Sequence, residues 1–355
     1  MMSELSILNE PGRVEEHFAD DLARQLSPEA VVRRHEPLDR RTTLRVGGPA
    51  DLFVVPANES DLASTLAFCR ERALQFFVLG RGSNLLVRDG GFRGVVIALA
   101  HPHFSRITVE PSGVTPGTCA EDLPSGATSP LGVPDDPVPT PQGRLRCGAG
   151  AKLKQVAIEA RRHGLSGVEF LEGIPGSVGG ALRMNAGAMG SWTFNVVESV
   201  RVMDRDGRVS VLPAGDIPVE YRHCPLFKSY LALEAVFRCR RAPRDEIEQR
   251  MNTFSQKRWA SQPAAPSAGC LFKNPPSIPA GKLIDELGLK GTRIGGAVVS
   301  AEHGNFIVNT GSATARDVLE LIAIIQARAR DERGVVLETE VEIIGESETL
   351  QLGGM

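Results

Sequence analysis

Apolar residues follow two rhythms along the central part of this chain. "DLFVVP" (51–56), "FFVLG" (76–80) and "GVVIAL" (94–99) are short apolar runs bounded by Gly, Pro or polar residues, which predicts strands. Between the first two, "ESDLASTLAFCRERALQ" (59–75) carries apolar residues at helical spacing and predicts a helix. The alternation is that of an α+β or α/β protein. Further on, "FSRITVE" (104–110) and "RLRCGAG" (144–150) predict two strands of a hairpin. They are separated by residues 111–141, which hold eight prolines and almost no apolar period, so that stretch is expected to be a flexible surface insertion. At a hairpin tip, added length costs little.

The pattern then returns. "KLKQVAIEARRHGL" (152–165) predicts a helix ended by Gly164, and "SVRVMDRDGRVSVLP" (199–213) predicts strand, turn and strand. Near Pro243 the character shifts to a charged helix, "PRDEIEQRMNTFSQKRW", where a domain boundary is expected. "TRIGGAVVSAEHGNFIVN" (292–309) predicts two strands around a turn. A helix from Thr314 opens with the capping pattern TARD and places Val318, Leu321, Ile322 and Ile325 on one face. "VVLETEVEIIG" (335–345) predicts a closing strand, on which Glu338, Glu340 and Glu342 share a face by alternation.

Composition narrows the class. At 355 residues, 42% hydrophobic and 23% charged, the chain is expected to be soluble and globular, with two or three domains. Its formal charge is −3 and it has no long basic run, so neither nucleic acid nor an anionic membrane is an expected partner. The six cysteines (69, 119, 147, 224, 239, 270) are scattered, with no CxxC pair, which suggests neither a zinc site nor a disulfide framework. The polar, acidic start lacks the apolar core of a signal peptide, and no membrane-length apolar run occurs, so a cytoplasmic protein is expected.

Two glycine-dense segments bring in candidate chemistry: "LGRGSNLLVRDGGFRG" (79–94) and "EGIPGSVGGALRMNAGAMG" (172–190). Consecutive backbone N–H groups in such loops form an anion-binding concavity, and the missing side chains leave room for a ligand. Neither segment is a GxGxxG fingerprint or a P-loop, which argues against a Rossmann or ATP site and for another dinucleotide cradle. Plain turns have the same composition, so both readings stand at this level.

The residues also carry a resemblance. "RRTTLRVGGPADLFVVP", "VLGRGSNLLV", "GIPGSVGGALRMNAGAMG", "VEYRHCPLF", "PSAGCLFKNP", "IGGAVVSAEHGNFIVN" and "LETEVEIIGE" occur in the order seen in bacterial UDP-N-acetylenolpyruvoylglucosamine reductases. The likeness covers roughly residues 30–100 and 145–346. It implies an α+β protein with a FAD-binding fold of the vanillyl-alcohol-oxidase (PCMH) type in two subdomains, plus a C-terminal α+β substrate-binding domain. The implied organisation is an N-terminal tail (1–27), a first FAD subdomain (28–100) joined by a returning C-terminal strand (335–346), a second FAD subdomain (101–243) with the insertion, a substrate domain (244–334) and a tail (347–355). The implied reaction belongs to peptidoglycan precursor synthesis. NADPH reduces a non-covalently held FAD, which reduces UDP-N-acetylglucosamine enolpyruvate to UDP-N-acetylmuramate. A monomer without macromolecular partners is expected.

The same resemblance assigns roles. Arg222 is the active-site cation: a guanidinium holds a carboxylate through two parallel hydrogen bonds and stays charged. Glu340 lies near the same carboxylate and needs a raised pKa to hydrogen-bond a developing enolate. Cys270 takes the place of the proton donor, often serine in relatives; its ordinary pKa of about 8.5 makes it a far stronger acid than a hydroxyl. Flavin contacts fall on Gly80, Gly82, Ser83, Asn84, Leu85, Gly176, Ser177, Gly180, Asn185 and Gly187, supported by Arg45, Gly47 and Gly48. Substrate contacts fall on Tyr221, Arg258, Gln262, Lys273, Asn274, His303 and Asn305. With only two tyrosines, Tyr221 and Tyr230, the chain resembles the shorter subtype that lacks a tyrosine-bearing closing loop. A FAD-dependent sugar or alcohol oxidase on the same fold is the main alternative. It would not require Arg222, Cys270 and Glu340 together.

Overall fold

The computed structural model describes residues 13–110 and 143–347. The proline-rich insertion, with Cys119, lies outside these residues, as do both ends of the chain. Its flanks do pair: Ile107–Glu110 runs antiparallel to Gly143–Gly148, with Glu110 opposite Arg144.

The first unit is a four-stranded sheet in the order Val31–Pro37, Pro49–Val55, Phe92–Ala98, Phe76–Leu79. The first pair is antiparallel and the other two are parallel. The two central strands, Pro49–Val55 and Phe92–Ala98, are largely buried on both faces, which is why they read as apolar runs, whereas the edge strand Val31–Pro37 exposes Arg33, Arg34 and His35. Alternation sends Leu52, Val54, Val95 and Ile97 into the large core and Phe53, Val96 and Ala98 into a separate small one. The helix Glu59–Glu71, capped by Asn58, covers the first face with Leu62, Leu66 and Phe68. Part of what reads as an N-terminal tail is structured. Phe18–Ala23 is a short helix whose Phe18 and Leu22, four residues apart, enter the same core.

The second unit is a sheet in the order Val209–Pro213, Val197–Met203, Leu231–Arg241, Gly143–Gly148, Ile107–Glu110, with Leu165–Ser166 also paired to Leu231–Arg241. The helix Leu153–Arg162 packs on it through Leu153, Val156, Ala157 and Ala160, and Gly164 follows at its end. The charged helix Arg244–Trp259 starts where the sequence changes character, but Ile247 and Met251 belong to this core. The change of core therefore comes after that helix rather than before it.

The third unit contains a three-stranded sheet, Arg293–Ile294, Ala297–Val299 and Ile307–Asn309, where two strands are expected from the pattern. The tight Gly295–Gly296 turn splits the first expected strand. The helix Ala315–Arg333 begins in a Thr314–Asp317 capping box, ends at Gly334, and buries Val318, Leu321, Ile322 and Ile325. Each of those side chains contributes about 1.5–3 kcal/mol by leaving water. Asp89, from the first unit, accepts hydrogen bonds from the Ala315 and Arg316 N–H groups at 2.8 Å and so fastens the two units.

The closing segment departs from its pattern. Only Glu342–Ile344 is a strand, running parallel to Leu85–Val87. Residues 338–341 instead lie irregularly along Leu271–Lys273: the Glu340 N–H donates to the Leu271 carbonyl at 2.7 Å and the Lys273 N–H to the Glu338 carbonyl at 2.9 Å. Leu85 and Val87 face the small core of the first unit while Leu86 enters the core of the third, so this three-residue strand is shared. No helix among the described residues is long and apolar enough to cross a membrane.

Candidate active site

The two glycine loops meet. The Ser83 hydroxyl of the first donates to the Pro175 carbonyl of the second, and a Cβ on Gly80 would stand 2.8 Å from the Ser177 Oγ. They border a groove of about 1810 Å³. Ten Arg and Lys side chains line it, among them Arg41, Arg81, Lys152, Arg183 and Arg258, against a single carboxylate, Glu172. In a chain of net charge −3, this concentration of one sign is a field for a polyanion. Small-side-chain loops with free backbone and a cationic wall fit a long ligand bearing a pyrophosphate, and FAD is such a ligand.

Beside the groove, next to its lining residue Gly269, the three candidate catalytic groups converge. Arg222 Nε stands 3.1 Å from Glu340 Oε1, with both side chains largely buried. The N–H does not point along that line, so Nε is a buried donor without an aligned acceptor. Arg222 itself sits at φ +58° in the turn closed by Glu220 and His223. Burial pushes the Glu340 carboxyl above its ordinary range, while Arg222 and Lys273 pull it back only in part. Burial pushes the Cys270 thiol up to about 12; Glu340 adds to the rise, and Arg222 and Arg258 oppose it. The thiol is thus a weaker acid than an ordinary cysteine, because burial disfavours the charged thiolate. Among the described cysteines Cys270 is nevertheless the one that is not fully buried.

The three glutamates expected on one face go three ways, because 338–341 is not a regular strand. Glu338 meets the Lys273 ammonium at 3.1 Å, Glu340 meets Arg222, and Glu342 pairs with Arg183.

Of the residues expected to hold cofactor, Arg45, Gly80, Ser83, Gly176, Ser177 and Gly180 line the groove. Others serve the frame around it. Gly82, at φ +60°, has no room for a side chain because a Cβ would meet the Arg41 carbonyl oxygen at 2.5 Å. Gly47 and Gly48 pack against Val87 and Asp89, and Leu85 is buried in its strand. Asn84 donates from Nδ2 to the Glu340 carbonyl at 3.0 Å. Asn185 accepts from the Phe194 N–H through Oδ1. A Cβ on Gly187 would meet Trp192 Cε3 at 2.3 Å, so that glycine makes room for an indole.

The substrate candidates divide likewise. Arg258 and Gln262 line the groove. Desolvation lowers the pKa of Arg258, and Gln262 Oε1 is a buried acceptor without a partner, so both suit a ligand. Tyr221 is exposed beside Arg222, and Lys273 lies close enough to influence Glu340. Asn305 is held within the frame: its amide accepts from and donates to the Phe272 backbone, and it is 2% exposed. Asn274 accepts from the Ala280 N–H at the start of the helix Ala280–Glu286. His303 packs between Gly281 and Phe306, accepts from the Asn305 N–H, and has its pKa lowered by burial. Sequence reading missed Trp192 and most of the cationic wall. The wall is assembled from seven separate stretches, and only folding adds their charges together.

A FAD-binding-domain profile matches residues 50–116 and 137–212, on both sides of the groove. The class is therefore a FAD flavoprotein, an α+β oxidoreductase. Residues 262–344 match the C-terminal domain of UDP-N-acetylenolpyruvoylglucosamine reductase. The reductase of that name from Geotalea uraniireducens is 41% identical over 88% of this chain and 94% of its own, and that from Heliobacterium modesticaldum 42% over 88% and 91%. The crystal structure of the UDP-N-acetylenolpyruvylglucosamine reductase of Thermus caldophilus superposes with a TM-score of 0.68 at 36% identity, over 89% of this chain and 98% of that one. The chain belongs to the UDP-N-acetylenolpyruvoylglucosamine reductase family.

Proposed function

We propose that this flavoprotein reduces the enolpyruvyl group of UDP-N-acetylglucosamine enolpyruvate to give UDP-N-acetylmuramate, with NADPH as reductant, and that Arg222, Glu340 and Cys270 carry the protein's part of the chemistry. The observation that supports this most is their convergence: a guanidinium with an unaligned buried N–H, a carboxyl held above its usual range and a protonated thiol, from three separate stretches of chain, beside a polyanion groove.

An enol ether resists hydride unless its carboxylate acts as an electron sink. Arg222 meets that need by accepting the substrate carboxylate on its free N–H edge and holding the charge that builds on the enolate. Glu340, whose burial favours the neutral acid, donates a hydrogen bond to the same developing charge. FAD bound along the groove and reduced by NADPH would supply the hydride chemistry at the methylene carbon. Cys270 then gives its proton to the adjacent carbon. Its raised pKa keeps the thiol charged with a proton at neutral pH, and an enolate carbon is basic enough to take it. In this reading Arg258, Gln262 and Lys273 meet the nucleotide diphosphate and sugar, which the groove-lining position of Arg258 and Gln262 supports. Tyr221 and Tyr230 are the whole tyrosine complement, which supports the shorter subtype without a tyrosine loop.

The test is anaerobic. The purified yellow protein is reduced with NADPH, the enolpyruvyl nucleotide is added, and flavin absorbance is followed. Prompt return of the oxidised spectrum with formation of UDP-N-acetylmuramate is the expected result. A flavin that stays reduced until oxygen enters would refute the proposal and favour an oxidase.

A further inference from the structure

Arg222 is held on two sides by aromatic rings. Its guanidinium carbon lies 5.2 Å from the Trp192 ring centroid and 5.3 Å from that of Tyr221. The two rings meet edge to face at 5.8 Å and 76°, so they form a right-angled wall. We propose that Trp192 is a positioning residue for Arg222: its indole fixes the guanidinium plane so that the free N–H edge is presented to the substrate carboxylate. The inference rests on the role given to Arg222 above.

Several independent features build the indole into place. Trp192 ends a tight hairpin in which Gly187–Ala188 pairs with Ser191–Trp192, and Trp192 stands opposite Gly187. The two turn residues, Met189 at φ +54° and Gly190 at φ +80°, give the mirror-image turn that suits a two-residue hairpin. The Trp192 N–H donates to the Asn195 side chain at 2.9 Å, and the next residue, Thr193, is tied to the Ala186 carbonyl through both its N–H and its hydroxyl. The absent side chain of Gly187 leaves the space the ring fills. That same Gly187 offers its carbonyl to Arg222 Nη1 at 3.4 Å. One hairpin therefore touches the guanidinium twice, once with a π-face and once with an acceptor. Arg222 needs such a support because its backbone turn is tight and its Nε contact with Glu340 is poorly aligned. A guanidinium free to rotate would meet a carboxylate in many geometries, of which few are bidentate.

The experiment compares Trp192→Ala, Trp192→Phe, Arg222→Lys and the Trp192→Ala/Arg222→Lys double variant in separate half-reactions. With Trp192→Ala, reoxidation of the reduced flavin by saturating enolpyruvyl nucleotide should slow at least about tenfold, while FAD content and the rate of reduction by NADPH stay within about twofold of wild type. Trp192→Phe should recover most of the lost rate. In the Arg222→Lys background, removing Trp192 should cost less than about twofold more. Equal slowing of both half-reactions, no slowing, or full multiplicativity in the double variant would overturn the proposal. Arg side-chain NMR gives a readout independent of turnover. The Arg222 Nη resonances, identified by their loss in Arg222→Lys, should be split by hindered rotation in wild type and merge in Trp192→Ala; identical spectra would also overturn it. A wild type that fails to turn over the nucleotide would instead remove the proposed function, and the NMR comparison would still decide the clamp.

Discussion

The acidity of Cys270 can be worked into a rate. Burial, with Glu340 beside it, pushes the thiol to about 12. At pH 8 a thiol of ordinary pKa, about 8.5, is roughly one quarter thiolate. At about 12 the fraction is about one in ten thousand, roughly 2,400 times less. A more basic thiolate is intrinsically more nucleophilic, and a Brønsted slope of 0.4–0.5 returns roughly 25- to 55-fold of that loss. Alkylation of Cys270 by iodoacetamide should therefore run about 40- to 100-fold slower than that of an exposed peptide thiol at pH 8. The assay is time-resolved alkylation with quantification of the Cys270 peptide, which separates it from the other cysteines. The rate should rise about tenfold per pH step from 7 to 10 without a plateau, because the thiol titrates only above that range. One variant tests the sign: Arg222→Leu removes the opposing cation and should slow alkylation further. A plateau near pH 8.5, or a rate equal to the free thiol, would refute the reasoning and show that water reaches the sulfur.

Other expectations follow from the same geometry. Cys270→Ala should leave flavin reduction by NADPH within about twofold of wild type but slow the enolpyruvyl half-reaction by about 10²–10⁴, and Cys270→Ser should retain part of it; stopped-flow absorbance separates the halves. Asp89→Ala removes two hydrogen bonds at the start of the helix Ala315–Arg333 and should destabilise the fold by about 1–2 kcal/mol in denaturant unfolding of the FAD-loaded protein. Leu321→Ala, at a fully buried position of the same helix, should cost about 2–5 kcal/mol. Replacing residues 112–141 by a short turn should preserve soluble, flavin-loaded, active protein, because the flanking strands already pair; loss of flavin from the purified protein would show otherwise.

Much of the frame was legible because it is local. Strands bounded by Gly and Pro, the Thr314 capping box and the Gly164 helix stop all announce themselves within a few residues. The glycine loops were legible as a pair, although their division of labour was not. Whether a glycine faces a ligand or another backbone depends on what the fold brings against it. Gly80 faces the groove, Gly82 the Arg41 carbonyl and Gly187 an indole. Asn305 illustrates the same limit. Its neighbours in sequence suggest a polar loop, but its amide lies against the backbone of Phe272, 33 residues away.

Which of the three glutamates faces Arg222 was the least legible point, and its answer lies in register. A three-residue parallel pair sets Glu342 opposite Leu85. Two residues earlier, Glu340 is gripped by both of its peptide groups: its N–H donates to the Leu271 carbonyl, next to Cys270, and its carbonyl accepts from Asn84 in the first glycine loop. A slip of one residue in that pair would pull Glu340 off both of these partners and away from Arg222. Asn84 is thus a splint between the first glycine loop and Glu340. The site forms where the three units close on one another, so its electrostatics are created by long-range contacts rather than by any one motif. This is why the motifs could name Arg222, Cys270 and Glu340 while the cause of the altered acidity of Cys270 and Glu340, shared burial, became visible only in the fold.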